Sequence, residues 1–276
     1  MLAPALVVLA AVTMYPVVSV GWLSLHRRVP VFGISEFVEL SHYRFLLRDP
    51  AFWNAARVTT VFTVVSVAAE VVLGVAVALA LRRQRRYRRI AFGLLLLPWC
   101  LPGVVTARMF EWLYHPTAGL VNQALGGRTI EWLGSPVLAL PALVTADVWR
   151  TMPFVALLAY ARLVSLPSEI YEAAAVDGAG PLTSFRRITL PLLLPVLVVG
   201  TLFRTLDAVR AFDLMFVLTG GGPGGRTETL TIFAYRNLFQ TLQLGFGAAV
   251  STVIFAIVVL TAWGYLRGLE RTETGA

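Results

Sequence analysis

The sequence predicts an all-α polytopic membrane protein with six transmembrane helices, and three observations carry that prediction. Of its 276 residues 58% are hydrophobic and only 14% charged, where a soluble domain carries about a quarter; mean hydropathy is +0.76. Apolar runs of about 20 residues or more, enough to cross a bilayer core, recur along the chain. The basic residues are all arginine, 23 of them with no lysine, and they collect in loops beside those runs. The net charge of +8 is therefore read as topology signal and contact with lipid headgroups, with no nucleic-acid partner. The single cysteine, Cys100, lies in an apolar run and excludes an internal disulfide. His26, His42 and His115 are isolated in loops, so no metal site and no catalytic group is expected.

Residues 1–25 are uncharged. A signal peptide is the rival reading, but the stretch lacks a basic start and a clear small-x-small cleavage site, and Pro16 and Trp22 suit a spanning helix. Residues 26–50 read as a mixed-charge outer loop. Helix two covers about 55–81 and stops at six arginines within residues 82–89, which anchor that loop in the cytoplasm. Helix three runs over about 90–114 and is expected to kink at Pro98 and Pro102. Residues 115–136 form an outer loop, and helix four covers about 137–161. Helix five is expected from about 188 to 218, bent near Pro191 and Pro195. Gly220–Gly225, with Pro223 inside it, is an outer turn, and helix six lies within 237–266. Assigned inner segments (82–89, 162–187 and 267–276) hold 11 arginines in 44 residues, against 7 in 73 for the outer ones. The bias orients six helices with both termini cytoplasmic.

Residues 168–191 form the one conspicuously polar, turn-containing segment set directly between two long apolar runs. Ser168 is expected to N-cap a short helix whose positive end favours Glu169. Glu172, Ala173, Ala174 and Ala175 continue it, and Gly178 stops it in the left-handed conformation. Pro181 opens a second helix at its first position. The alanines leave a small-residue face that another protein can approach closely.

Ionisable residues inside spans are costly and face a bundle interior or water. Glu70 falls in helix two, Arg108 and Glu111 in helix three, and Asp147 and Arg150 in helix four. Helix five carries Arg204, Asp207, Arg210 and Asp213. Apart from Glu70, and Arg57 near a helix end, they form opposite-sign pairs three apart, which can neutralise each other on one helix. The structural reading is interior salt bridges, and the functional one a hydrophilic path for a polar solute. On one continuous helix the four charges of helix five step by about 60° each and fan over half the circumference, which favours a path. Arginine forks and paired carboxylate acceptors suit hydroxylated ligands, and Phe212 and Phe216 offer rings for stacking on sugars.

Two motifs carry a resemblance. Glu172–Ala174, Gly178, Ile188 and Leu190–Pro191 are similar, without a gap, to the EAA loop of permease subunits of binding-protein-dependent ABC importers. Leu202–Asp207, Arg210, Phe212–Asp213 and Val217–Pro223 resemble the MalF-like permeases of carbohydrate importers. The maltose permease is richer in neutral amides on this helix, and the charges here look closer to actinobacterial trehalose-type permeases, as does the all-arginine, alanine-rich composition. The resemblance covers about 55–270, with residues 1–54 as the subfamily's extra N-terminal helix and outer loop and 271–276 as a cytoplasmic tail. The long N-terminal extension and large inserted outer domain of the enterobacterial maltose subunit have no counterpart.

The resemblance implies a MetI-like permease fold with a cytoplasmic coupling helix in a bacterial inner membrane. Contact with the ATPase would fall to Glu172, Ala173, Ala174, Asp177, Gly178, Ala179, Phe185 and Pro191. The solute path would be lined by Arg204, Asp207, Arg210, Phe212 and Asp213, with Asp147, Arg150 and Glu70. The implied partners are an ABC ATPase dimer, a MalG-like second permease, an extracytoplasmic sugar-binding protein and membrane lipid. A P-loop requires a lysine, which this chain lacks, so the chain is expected to bind no cofactor, and ATP and Mg are used by the partner ATPase. The alternative is a secondary transporter driven by an ion gradient, with Asp207 or Glu70 as proton site. Intramembrane proteolysis is disfavoured, because no Gly-x-Ser-Gly serine accompanies a membrane histidine.

Overall fold

The computed structural model describes residues 3–84 and 86–274. The chain opens with α1 (Ala3–Ser24), which packs along the last helix. The expected outer loop is structured. An antiparallel hairpin of β1 (His26–Val29) and β2 (Ile34–Phe37) turns over a 3-10 turn at Pro30–Phe32, and α2 (Ser41–Leu46) follows. Arg27 faces Glu36 and Arg28 faces Ser35 across the hairpin.

The long helix α3 (Pro50–Arg83) begins five residues before the expected start. Asp49 caps it by accepting from the Ala51 amide at 2.9 Å, and Pro50 occupies the first helical position. Helix three is broken rather than kinked. α4 (Arg88–Cys100) and α5 (Gly103–Leu113) meet at 99°, because Leu101 and Pro102 are both extended and Pro102 has no N–H to carry the ladder on. After the short α6 (Leu120–Ala124), α7 (Ala139–Ser165) crosses back against α3. The approach is close enough that a β-carbon on Gly74 would lie 2.9 Å from the Val155 side chain.

Next come α8 (Glu169–Val176) and α9 (Pro181–Ser184), a π turn at Phe185–Thr189, and α10 (Leu190–Val209). The short helix expected at Pro181 runs on without a gap into helix five, whose start was expected near 188, and the helix ends at Val209, well before the expected 218. Residues 210–212 leave the helix and α11 (Asp213–Leu218) starts afresh. The expected fan of four charges along one helix is therefore corrected: Arg204 and Asp207 lie on α10, Arg210 sits at its C-cap, and Asp213 opens the next helix. The chain closes with α12 (Leu230–Tyr235), a π turn at Arg236–Gln240 and α13 (Leu244–Thr274).

Among the described residues four helices are long and apolar enough to cross a membrane: α3, α7, the helix from Pro181 to Val209, and α13 through Gly268. The bent α4–α5 pair makes a fifth if counted as one span. Large apolar side chains such as Val64, Val72, Leu94 and Leu260 are more than half exposed, a surface suited to acyl chains. Inside, two apolar clusters occupy different levels of the bundle. Phe62, Phe110, Leu143, Ala146 and Met215 join α3, α5, α7 and α11. Val75, Val155, Ala159, Leu163 and Leu193 join α3, α7 and α10. Glu70, Asp147, Thr151 and Arg204 lie in sequence between these levels.

Candidate functional site: a charged layer and a polar cavity

The charged layer is built by three helices. Glu70 projects from α3, Asp147 and Thr151 lie one helical turn apart on α7, and Arg204 comes from α10. All are buried: Glu70 is 0% exposed, Asp147 2%, Thr151 3% and Arg204 5%. The Arg204 guanidinium grips Glu70 with two bonds, Nε to Oε2 at 2.5 Å and Nη2 to Oε1 at 2.8 Å. The same Nη2 donates to Asp147 Oδ2 at 3.1 Å. Thr151 Oγ1 lies 2.8 Å from Glu70 Oε1 and 2.6 Å from the Asp147 carbonyl oxygen, so its single hydroxyl proton is shared between these two acceptors. A forked guanidinium facing a carboxylate is a directional arrangement that lysine does not reproduce.

The sequence pairing holds only in part. Arg108–Glu111 is an exposed pair within α5 at 2.7 Å, and Asp147–Arg150 approaches to 3.5 Å within α7. Arg204 instead reaches across to other helices, and its same-helix partner Asp207 is 3.7 Å away. Glu70, unpaired on its own helix, thereby finds its partner 134 positions along the chain.

From this layer the charges continue into an open cavity of about 400 Å³. Its lining includes Asp147, Arg150, Thr151 and Arg204, then Asp207, Arg210, Phe212 and Asp213, with Trp99 at the α4 end. Asp207 and Arg210 bond to each other at 3.2 Å with side chains 61% and 57% exposed. Arg210 also donates Nε to the Leu206 carbonyl. Two helix breaks meet here: a β-carbon on Gly103, the first residue after the α4–α5 break, would lie 3.1 Å from Asp213 Cβ. Phe212 stacks on Phe216 at 5.0 Å and touches Tyr235, so its ring already has protein partners. Cavities of this volume suit small ligands, and this lining offers forked donors beside carboxylate acceptors.

The expected solute-path residues thus fall into a buried set (Glu70, Asp147 and Arg204), an open set (Asp207 and Arg210), and the cavity wall (Arg150, Phe212 and Asp213). Thr151 and Trp99 were not singled out in the sequence. Thr151 stands four residues after Asp147, one turn on; Trp99 is flanked by the proline that precedes a helix break.

The polar segment lies apart from this layer. No residue of α8 is buried, and Val176 is 89% exposed. Ser168 is itself helical and makes no side-chain cap bond, which corrects the N-cap expectation: the Tyr171 and Glu172 amides take the Ser168 carbonyl instead. At the other end Gly178 is left-handed at φ +77°. Ala179 N–H donates to the Ala174 carbonyl and Gly178 N–H to that of Ala175, the paired bonds of a Schellman stop. Glu172, Ala173, Asp177 and Gly178 are exposed, Ala174 and Ala179 half-buried. Phe185 turns inward with Tyr171 against the cluster of α3, α7 and α10. Pro191 lies in the first turn of α10, and Tyr171 Oη meets Thr189 Oγ1 at 3.2 Å, tying α8 to the start of that helix.

Beyond the glycine-rich turn, Glu228 is buried and pairs with Arg236 at 2.9 Å. Burial raises its pKa above the ordinary carboxylate value, Arg236 opposes that rise, and Asp49 adds to it.

Comparisons with known proteins place this architecture. A family model described as the binding-protein-dependent transport system inner membrane component matches residues 70–267. The trehalose/maltose transport system permease protein MalF of Thermococcus litoralis is 40% identical over 270 residues, 97% of this chain and 91% of the relative. The trehalose transport system permease protein SugA of Mycobacterium tuberculosis is 35% identical over 268 residues, 97% and 86% of the two chains. Among solved structures, a chain of a bacterial ABC transporter that imports the acidic polysaccharide alginate superposes with a TM-score of 0.85 at 19% identity. It covers 98% of this chain and 94% of that one. A chain of the MetNI methionine transporter gives 0.58 at 19% identity over 81% and 98%. The structural likenesses establish the fold, that of a MetI-like ABC permease. By a family match across most of its length and by full-length relatives, the chain belongs to the binding-protein-dependent transport system inner-membrane components.

Proposed function

We propose that this chain is the sugar-conducting permease subunit of an ATP-driven importer, with a disaccharide of the trehalose or maltose type as solute. The observation that carries the sugar reading is the similarity over 97% of the chain to the trehalose/maltose and trehalose permeases named above. The polar cavity supports it, because Arg150, Arg210, Asp207 and Asp213 offer donors and acceptors that match sugar hydroxyls. Family membership disfavours a transporter driven by an ion gradient.

In this reading α1 is a sixth span, both termini face the cytoplasm of a bacterial cell, and a MalG-like permease completes the pore. An extracytoplasmic binding protein delivers the sugar. ATP and Mg are used by a separate ATPase dimer, which presses on the exposed face of α8 through Glu172, Ala173, Ala174, Asp177, Gly178 and Ala179. Phe185 and Pro191 pass that movement to α10. Support comes from the exposure of α8 and from its tie to α10 through Tyr171 and Thr189. Within the bundle Arg210, Asp207, Asp213 and Arg150 contact the solute, while Glu70, Asp147 and Arg204 hold the wall they stand on.

The test is a pull-down of the tagged chain in a gentle detergent, with bound proteins identified and ATPase activity assayed. Recovery of an ATPase and a second permease, with activity stimulated by a trehalose- or maltose-loaded binding protein, is the expected result. A chain that purifies alone and moves solute down an ion gradient would overturn it.

A further inference from the structure

Arg82 and Arg83 end α3 and read in the sequence as nothing more than topology anchors. In the fold they line a cavity of about 560 Å³ between the end of α3 and the 168–191 segment. Leu79, Leu182 and Phe185 supply apolar walls, and Tyr171 of α8 closes one side. The Arg82 guanidinium lies over the Tyr171 ring, 4.4 Å from its centre. Among the described residues neither guanidinium has a carboxylate partner or a side-chain hydrogen bond, and no acidic residue lines the cavity. Arg82 and Arg83 lie in the last turn of the apolar span α3, and basic residues at the end of a span are suited to the headgroup region. Val72 and Leu73, further up the same helix, are 68% and 46% exposed and need acyl chains against them.

We propose that this cavity binds the phosphate headgroup of an anionic phospholipid, so that lipid and α8 share one guanidinium. Arg82 is held flat by Tyr171, which leaves its N–H edge available to phosphate oxygens. Arg83 adds a second cation, and the apolar walls take the first carbons of the acyl chains. Cytoplasmic leaflets are rich in such lipids, and arginines at the surface attract them. The lipid would thus set the position of the segment that meets the ATPase. This last consequence rests on the reading of 168–191 as a cytoplasmic coupling segment; the lipid site itself does not.

The test uses the importer complex in nanodiscs of phosphatidylcholine with a minor fraction of phosphatidylglycerol, with retained lipids counted by native mass spectrometry. We expect the wild-type complex to retain phosphatidylglycerol, and Arg82→Gln with Arg83→Gln to lower that retention about 25-fold, from about fivefold per arginine. Arg88→Gln with Arg89→Gln, outside the cavity, lowers it far less. Leu182→Trp fills the cavity with both charges intact and lowers retention too, which separates loss of the site from misfolding. Retention by both cavity variants at wild-type levels, or displacement of the lipid by millimolar inorganic phosphate, would overturn the proposal. If the lipid is retained while no ATPase associates, the coupling reading fails and the lipid site stands.

Discussion

The buried and open halves of the charged network use the same residue types at similar spacing and meet opposite surroundings. Glu70, Asp147 and Arg204 lie between two apolar clusters and spend their hydrogen bonds on one another. Asp207 and Arg210, one and two turns further along the chain, pair loosely in a cavity with more than half of each side chain exposed. Stripped of water, a charge needs a partner with good geometry or it destabilises the bundle, whereas an exposed pair contributes little to stability and keeps its polar atoms available. Burial therefore separates a buried brace from the open pair that we propose as a binding surface, where composition does not.

The largest expected effect breaks the buried half. Glu70→Ala strips Arg204 of its two-bond partner and should cost about 3–5 kcal/mol, read as loss of folded protein in detergent and a lowered melting temperature. Glu70→Leu combined with Arg204→Met should be milder than either single change, because it removes both charges together. If Glu70→Ala melted like the wild type, the buried cluster would not be a brace.

Gly178→Leu comes next. Space is open around a β-carbon there, so the cost is backbone strain alone, about 1–3 kcal/mol for a side chain held at φ +77°. It should loosen the stop of α8 and lower the ratio of sugar transported to ATP hydrolysed without disturbing the spans. Gly178→Asn, which tolerates the left-handed region, should retain more coupling. Equal transport by Gly178→Leu and wild type would remove α8 from the docking role.

A smaller effect is expected beside the glycine-rich turn. Glu228 has a raised pKa, so its protonated form is favoured in the fold. The stability it contributes is present below the ordinary carboxylate pKa and lost as pH rises through the raised value. The glycine-rich turn should show faster amide exchange across that rise, and Glu228→Gln should flatten the dependence. A wild-type profile that runs the other way would contradict the burial argument.

Much of this was legible from residues alone. The apolar runs gave the main spans, and Gly178 and Pro181 gave the turn between α8 and α9, since each of these features is local. The breaks were harder. Pro98 and Pro102 signalled a kink but not the size of the 99° turn, which depends on the extended backbone that Leu101 and Pro102 both take. Nothing in Ala208–Phe212 marks the end of α10 by propensity. That end undid the periodic argument about Arg204, Asp207, Arg210 and Asp213, which assumed one continuous helix. The pairing of Glu70 with Arg204 was hidden for another reason: spacing rules describe neighbours on one element, and this bond spans two. Arg82 and Arg83 likewise needed the fold to bring Tyr171 beside them.

The most direct test sets Arg210→Ala beside Glu70→Ala in the reconstituted complex, with sugar uptake and thermal unfolding measured on the same preparations. Arg210→Ala should change stability by less than about 1 kcal/mol and lower uptake tenfold or more, while Glu70→Ala should fail in unfolding first. If Arg210→Ala unfolds as Glu70→Ala does, or imports sugar at the wild-type rate, the division of the network into brace and binding surface is wrong.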